Sequence, residues 1–407
     1  MLWTARRVAA LKHDAAEARA RIRDLVIRGL VTDSPTGRAW GQFLDEAPSN
    51  TQYGIYGTSA CIQILIAAQY PVNSEVVAGA CKILETVLQD ENNPSRQDGD
   101  ICVTYKLAYL AEAVDPDQSE IEMDAAPMVE LLKRMLPGGG WGEFFCSASH
   151  FDPHPRVVPT AAALLALRRY VAFRRTRECE ESLRWLGSRL VEDGQLRSHE
   201  SALSSLALIE YSLIGSQTMN YVQNVIETCK DRILRWAALR RHQDIGESEA
   251  YCYAVQWEGR RVNRYLFFVP DCLAALALLK IGCPKKARSY VLQVCEYFSK
   301  QILLKGGFRP ATTGRISSVD HLWIHRLLQE LDTQDPKTLS VMPRWLSFFF
   351  TLASALLLLT MGCIGLYLAS TAEIKVRVAG GALSAVSLGF FVRLLWTVRT
   401  RSVNSPE

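Results

Sequence analysis

The chain has 407 residues, enough for one large or two ordinary domains, and 49% of them are apolar, which suits a globular core. A net charge of +4 over that length offers no basic face and sets nucleic acid aside as an expected partner. Eleven cysteines, an odd number at irregular spacing and without a CxxC, set aside a disulfide framework and read as free thiols in a reducing compartment.

Residues 5–30 read as an amphipathic helix, with Val8, Leu11, Ala15, Ala18, Ile22, Leu25 and Val26 roughly on one face. Charges interrupt every apolar run there, so the stretch is not a secretory signal. From this point one unit recurs: a helix with one charged and one apolar face, a glycine-containing turn, a loop, and a helix rich in Ala, Ser and Leu. Six pairs are predicted: 5–30 with 57–69, 75–89 with 100–113, 124–136 with 159–172, 178–192 with 199–214, 218–240 with 270–281, and 284–303 with 317–331. Gly57, Gly99, Gly140, Gly194, Gly306 and Gly307 precede second helices. The contrast in composition predicts an inner ring of uncharged helices inside an outer, partly wetted ring. Six pairs are the number that closes an (α/α)6 toroid, so the expected fold is all-α, with the toroid over 1–331. Only the long loop 241–269 leaves room for short strands.

Residues 332–344 form a polar, proline-bearing linker. The runs 345–369 and 378–398 are each close to the ~20 apolar residues that span a bilayer. Residues 370–377 join them and a tail, 399–407, follows. The second run is broken only by Arg393, near its end, where a long side chain can reach water. The expected C-terminal element is therefore a transmembrane helical hairpin, which predicts a two-span membrane protein with the bilayer as partner and the hairpin as a route to homo-oligomers. Lys337, Arg344, Arg399 and Arg401 flank the hairpin, whose loop carries Lys375 and Arg377 against Glu373. That balance, with the reduced cysteines, places the toroid on the cytoplasmic side.

The stretch Gly139-Gly140-Trp141-Gly142-Glu143, followed by Pro159-Thr160-Ala161-Ala162-Ala163-Leu164, resembles the repeat of the squalene and terpene cyclases, which share the α/α toroid with the protein prenyltransferase β-subunits. The match is good in the third pair, partial in the sixth at Gly306-Gly307-Phe308 and Ser317-Ser318, and degenerate in the others. As architecture it covers about residues 5–331.

The resemblance implies an isoprenoid or another apolar ligand in a central cavity. In the cyclases an Asp-rich DxDD motif protonates an alkene or epoxide. Its counterpart here is Asp98-Gly99-Asp100-Ile101, so Asp98 and Asp100 are the candidate acids, with Ile101 in place of the last Asp. Helix capping is their alternative role. In the prenyltransferases an Asp, a Cys and a His hold zinc, which Cys252 and His321 echo. Ala250 stands at the acidic position, so Glu249 or Asp320 would have to complete the site. No other cofactor is expected.

Asp271, Asp320, His321, Trp323 and His325 fall at the start of or within second helices, where a toroid lines its cavity; first-turn acids also arise from the helix dipole alone. Tyr53, Tyr56 and Trp323 lie in turns or near second-helix starts. Aromatics so placed shield carbocations in cyclases, or simply pack. The loop residues His150, Asp152 and His154 could present imidazoles and a carboxylate together. No GxGxxG, P-loop, GxSxG or HExxH occurs. Two functions follow: a membrane-anchored cyclase- or prenyltransferase-like protein with an apolar ligand in its centre, or a non-catalytic sensing or interaction module. A wide, aromatic-lined cavity is expected of the first and a filled centre of the second. The GGWGE turn is expected to be a clasp between helix pairs in either case.

Overall fold

The computed structural model describes residues 3–34, 37–45, 55–71, 74–89, 104–113, 126–143, 154–192, 196–214, 219–240, 245–257 and 260–340, and seven residues between Leu357 and Tyr367. The chain divides into two compact units, residues 5–340 and residues 1–4 with 341–407.

In the first unit the elements run α1 (Ala5–Arg28), β1 (Val31–Ser34), β2 (Gly37–Ala39), α2 (Ile55–Ala67), α3 (Glu75–Gln89), α4 (Thr104–Ala113) and α5 (Ala126–Lys133). They continue with α6 (Val157–Leu167), α7 (Val171–Arg174), α8 (Arg177–Glu192), α9 (Ser198–Leu213) and α10 (Met219–Leu239). Then come β3 (Glu249–Trp257), β4 (Arg260–Phe268), α11 (Pro270–Lys280), α12 (Arg288–Lys305), α13 (Ser318–Thr333) and α14 (Pro336–Leu339). The described chain is mostly helical, and each helix predicted over residues 5–331 is met within a few residues.

Burial separates the helices into two kinds. In α6 and α11 ten of eleven residues are buried, which only Ala, Leu, Thr, Val and the like tolerate without partners. In α1 the buried set is Val8, Leu11, Ala15, Ala18, Ile22 and Val26, at steps of three and four, the single stripe of a helix that faces water on its other side. α8 repeats that stripe with Cys179, Ser182, Leu183, Leu186 and Leu190. The contacts follow the same division. α2 packs on α4, α4 on α6, α6 on α9, α9 on α11, α11 on α13, and α13 returns to α2. Around this cycle α3 lies on α2, α5 on α4, α8 on α6 and α9, α10 on α9, and α12 on α11 and α13. α1, the first helix of the chain, packs on α12 and α13, at the opposite end of the sequence, as well as on α2.

Two antiparallel ribbons interrupt the helices. β1 and β2 are too short for alternation to be seen in sequence, and they were not expected. β3 and β4 are longer than the short strands allowed for that loop, with nine residues each. They pair without a break from Glu249 opposite Phe268 to Trp257 opposite Arg260.

The membrane expectation is corrected. The two apolar runs, 345–369 and 378–398, lie outside the described residues except for the seven between Leu357 and Tyr367. Among the described residues no helix is long and apolar enough to cross a bilayer, which overturns a two-span placement. The longest, α1, shows why: it carries Arg6, Arg7, Lys12, Arg19, Arg21 and Arg23 along its length.

Candidate functional site

The GGWGE stretch builds a joint between layers. Gly138, Gly139 and Gly140 have φ of 84°, 90° and 87°, the left-handed region that glycine enters without cost. A Cβ on Gly139 would stand 2.7 Å from the Glu181 carbonyl carbon, so the turn presses directly on the backbone of α8. Trp141 is fully buried, and its indole N–H donates to the Leu131 carbonyl at 2.8 Å. Its main-chain N–H donates to Thr160 Oγ1 at 2.9 Å, and the Thr160 hydroxyl donates back to the Trp141 carbonyl at 3.2 Å.

The same joint recurs where the sequence did not announce it. The Trp40 N–H donates to Thr58 Oγ1 at 3.2 Å, the Thr58 hydroxyl returns a bond to the Trp40 carbonyl, and the Trp40 indole N–H reaches the Val26 carbonyl at 2.7 Å. A Cβ on Gly57 would meet the Gly41 carbonyl oxygen at 2.1 Å. In the last pair the Phe308 N–H donates to His321 Nε2 at 3.1 Å. Thr58, Thr160 and His321 are each the fourth residue of their helices. These three residues hold the scaffold.

The β3–β4 hairpin is tied to the GGWGE turn and to the amino-terminal end of α9. The His199 Nδ1–H donates to Glu249 Oε2 at 2.8 Å, and the His199 main-chain N–H donates to the same oxygen at 3.1 Å. Burial alone would raise the Glu249 carboxyl, but the bonds from His199 and from Ser198 hold it below the usual carboxylate range. The Tyr251 hydroxyl donates to Glu143 Oε1 at 3.1 Å, and Arg197 donates to the Ala250 carbonyl at 2.8 Å. The Phe268 ring lies flat on His199, with centroids 5.3 Å apart and an interplanar angle of 2°. His199 is fully buried, and its Nε2 meets no hydrogen-bond partner among the described residues.

Phe268 also reaches the centre of the cycle, beside Tyr105, Tyr109, Leu165 and Trp323. The free space there is about 10 Å³, the least that holds one water. Aromatic rings fill the rest: Tyr56 meets Tyr105 and Tyr109 edge-on at 5.5 and 4.8 Å, and the Trp323 indole N–H donates to the Tyr109 hydroxyl at 2.9 Å. Burial, and after it the nearby Glu112 charge, push the Tyr109 phenol well up, so it stays neutral.

Towards the carboxy-terminal ends of the same helices the side chains form a chain of charge that begins and ends on α13. Arg326 pairs with Glu112 at 3.1 Å, Glu112 with Arg168, Arg168 with Glu210 at 4.0 Å, Glu210 with Lys280 at 3.0 Å, and Lys280 with Glu330 at 3.2 Å. Arg326 also donates to Gln63 of α2 at 2.6 Å, so all six inner helices take part. Burial would raise the Glu112 carboxyl, but Arg326 and Arg168 together hold it below the usual range.

The residues singled out from sequence are placed as follows. Asp98, Asp100 and Tyr53, with His150 and Asp152, lie outside the described residues. Asp271 is fully buried. It accepts from Arg240 at 2.9 Å, from the Gly246 N–H at 3.2 Å and from the Tyr290 hydroxyl at 2.8 Å, and so fixes the approach to the hairpin. Asp320 is a first-turn acid capped by Ser317, and burial pushes its carboxyl up to about 7.

His325 is fully buried. Burial first, and the charges of Arg19 and Arg326 after it, lower its ring to about 3 and keep it neutral. Tyr56 and Trp323 belong to the aromatic filling. Cys252 is exposed on β3, opposite Tyr265. His321 has both ring nitrogens in use, Nδ1 donating to the Ser317 carbonyl at 2.7 Å and Nε2 accepting from Phe308, so it has no lone pair left for zinc. Among the described residues no group of three or more His, Cys, Asp or Glu is placed to hold a metal.

Sequence reasoning missed His199, Tyr251, Phe268 and the charge circuit. The available signal for the circuit was a charge near the end of otherwise apolar helices, at Glu112, Arg168, Glu210 and Lys280. No family model, curated protein or solved structure matches the chain.

Proposed function

We propose that residues 5–340 are an (α/α)6 toroid of the terpene-cyclase and prenyltransferase kind whose centre has closed, and that the chain works as a non-catalytic interaction module. The cyclic packing of α2, α4, α6, α9, α11 and α13 inside a second helical layer supports the toroid. The filled centre carries the rest of the reading. Ligand pockets measure roughly 300–1,000 Å³, whereas about 10 Å³ is free among Tyr105, Tyr109, Phe268 and Trp323. Of the acidic groups described at the amino-terminal ends, Glu143, Asp271 and Glu249 are engaged as acceptors by the fold itself, while Asp320 is buried in the first turn of α13. The test is to purify the full chain, assay bound isoprenoid and zinc by mass spectrometry, and incubate it with squalene, its epoxide and prenyl diphosphates. The expected result is no retained isoprenoid, no zinc and no product. A cyclised or transferred product, or stoichiometric isoprenoid, would overturn the reading.

A further inference from the structure

A second cavity lies away from the centre, between α9, α10 and α11, and holds about 140 Å³. Two alanines make the space: Ala202 of α9 and Ala274 of α11 are buried and line it, so a branched residue at either position would fill it. Ile233 of α10 adds a buried apolar wall. Trp236 supplies an aromatic one and is itself held in place, with the Arg240 guanidinium 5.2 Å over its ring and Tyr290 edge-on at 6.0 Å. The polar side is made by Ser201 and by Arg232, whose guanidinium is anchored by donating to the Leu190 carbonyl. Among the described lining residues Arg232 is the one charged side chain.

Volume, wall chemistry and charge agree on one kind of occupant. A cavity of ~150 Å³ lined by apolar side chains accepts benzene, and small-molecule sites are mostly apolar with a few convergent polar groups. A guanidinium at the polar side recognises a carboxylate better than any neutral group. We propose that this cavity is a binding site for a small organic anion of about the size of benzoate, its ring against Trp236 and Ile233 and its carboxylate towards Arg232 and Ser201. The site is separate from the centre and stands whether or not the toroid is catalytic.

The test is a ligand-observed fluorine NMR titration of the full chain with 4-fluorobenzoate, and with 4-fluorobenzyl alcohol as the neutral analogue. Saturable binding of the acid is expected, with the alcohol weaker by about tenfold or more, the size of a charge-assisted bond. Arg232→Gln should weaken the acid by a similar factor and leave the alcohol unchanged. Ala202→Leu should abolish both; Ser201→Leu at the polar side serves if that variant loses its helical circular dichroism. Absence of saturable binding, or binding that survives both Arg232→Gln and the filling substitution, would overturn the site. Equal affinity for acid and alcohol would overturn its anion selectivity.

Discussion

The two ends of the inner helices are closed by different means. The circuit joins side chains from the carboxy-terminal halves of neighbouring helices. Towards the carboxy-terminal ends the helices supply the closure themselves: Arg168 and Lys280 stand at partly negative helix ends, Arg326 joins them from α13, and Glu112, Glu210 and Glu330 separate the cations. At the amino-terminal end the acids Asp271 and Asp320 sit in first turns, with Glu143 and Glu249 nearby. The cover there is an added hairpin, inserted between α10 and α11. The difference teaches that one end is closed by the helices' own side chains, whereas the other is closed by a separate hairpin.

The largest effect is expected at the charge circuit. Arg168→Met removes the partner that Glu112 and Glu210 share and leaves buried carboxylates undercompensated, at a cost of about 3–5 kcal/mol. Urea denaturation reads this directly, and a loss under about 1 kcal/mol would show that apolar packing alone closes that end.

A smaller effect, with a sign set by pH, is expected at Asp320. Its carboxyl is raised to about 7 in the folded chain, so the folded state holds the proton more firmly than the unfolded state. The stabilisation is complete below the ordinary carboxylate range and is lost as pH rises through about 7. His321 and His325, lowered by burial to about 4 and about 3, work in the opposite direction: their contribution is present above 6.5 and is lost as pH falls towards those values. Asp320→Asn isolates the acid. At pH 8 the variant should exceed the parent by roughly 2–3 kcal/mol, and the two should converge at pH 4. Parallel stability curves for the two proteins would refute the assignment.

The smallest effect tests whether the hairpin can come away. Glu249→Gln weakens both bonds to His199, worth about 1–2 kcal/mol together. Hydrogen exchange should quicken in β3 and β4 while α6 and α9 stay protected. Equal loss of protection in strands and helices would show that cover and ring are one cooperative unit.

Much of this was legible from composition alone. Inner and outer helices differ in whether charge occupies one face or none, and that is a property of sequence. Trp141 was legible as part of a clasp because three glycines precede it, whereas Thr160 read only as a helix start. Trp40 and Thr58 make the same bonds without that flag, and so passed unseen. The state of the centre depends on how Tyr105, Tyr109, Phe268 and Trp323 share a volume, which no spacing records. Residues such as Lys280 near helix ends look like ordinary dipole compensation until their neighbours are known. The expected membrane hairpin rested on the length of two apolar runs, a criterion that reports hydrophobicity without its setting.

The position of α1 has a consequence for how the protein is made. Arg7 reaches Glu296 at 3.1 Å, Arg19 reaches Asp332 at 2.8 Å, and Lys12 donates to the Gln334 carbonyl at 2.8 Å. α1 therefore finds most of its partners about three hundred residues further along the chain. Its apolar stripe stays uncovered for some three hundred residues of elongation, at roughly 5–20 residues per second.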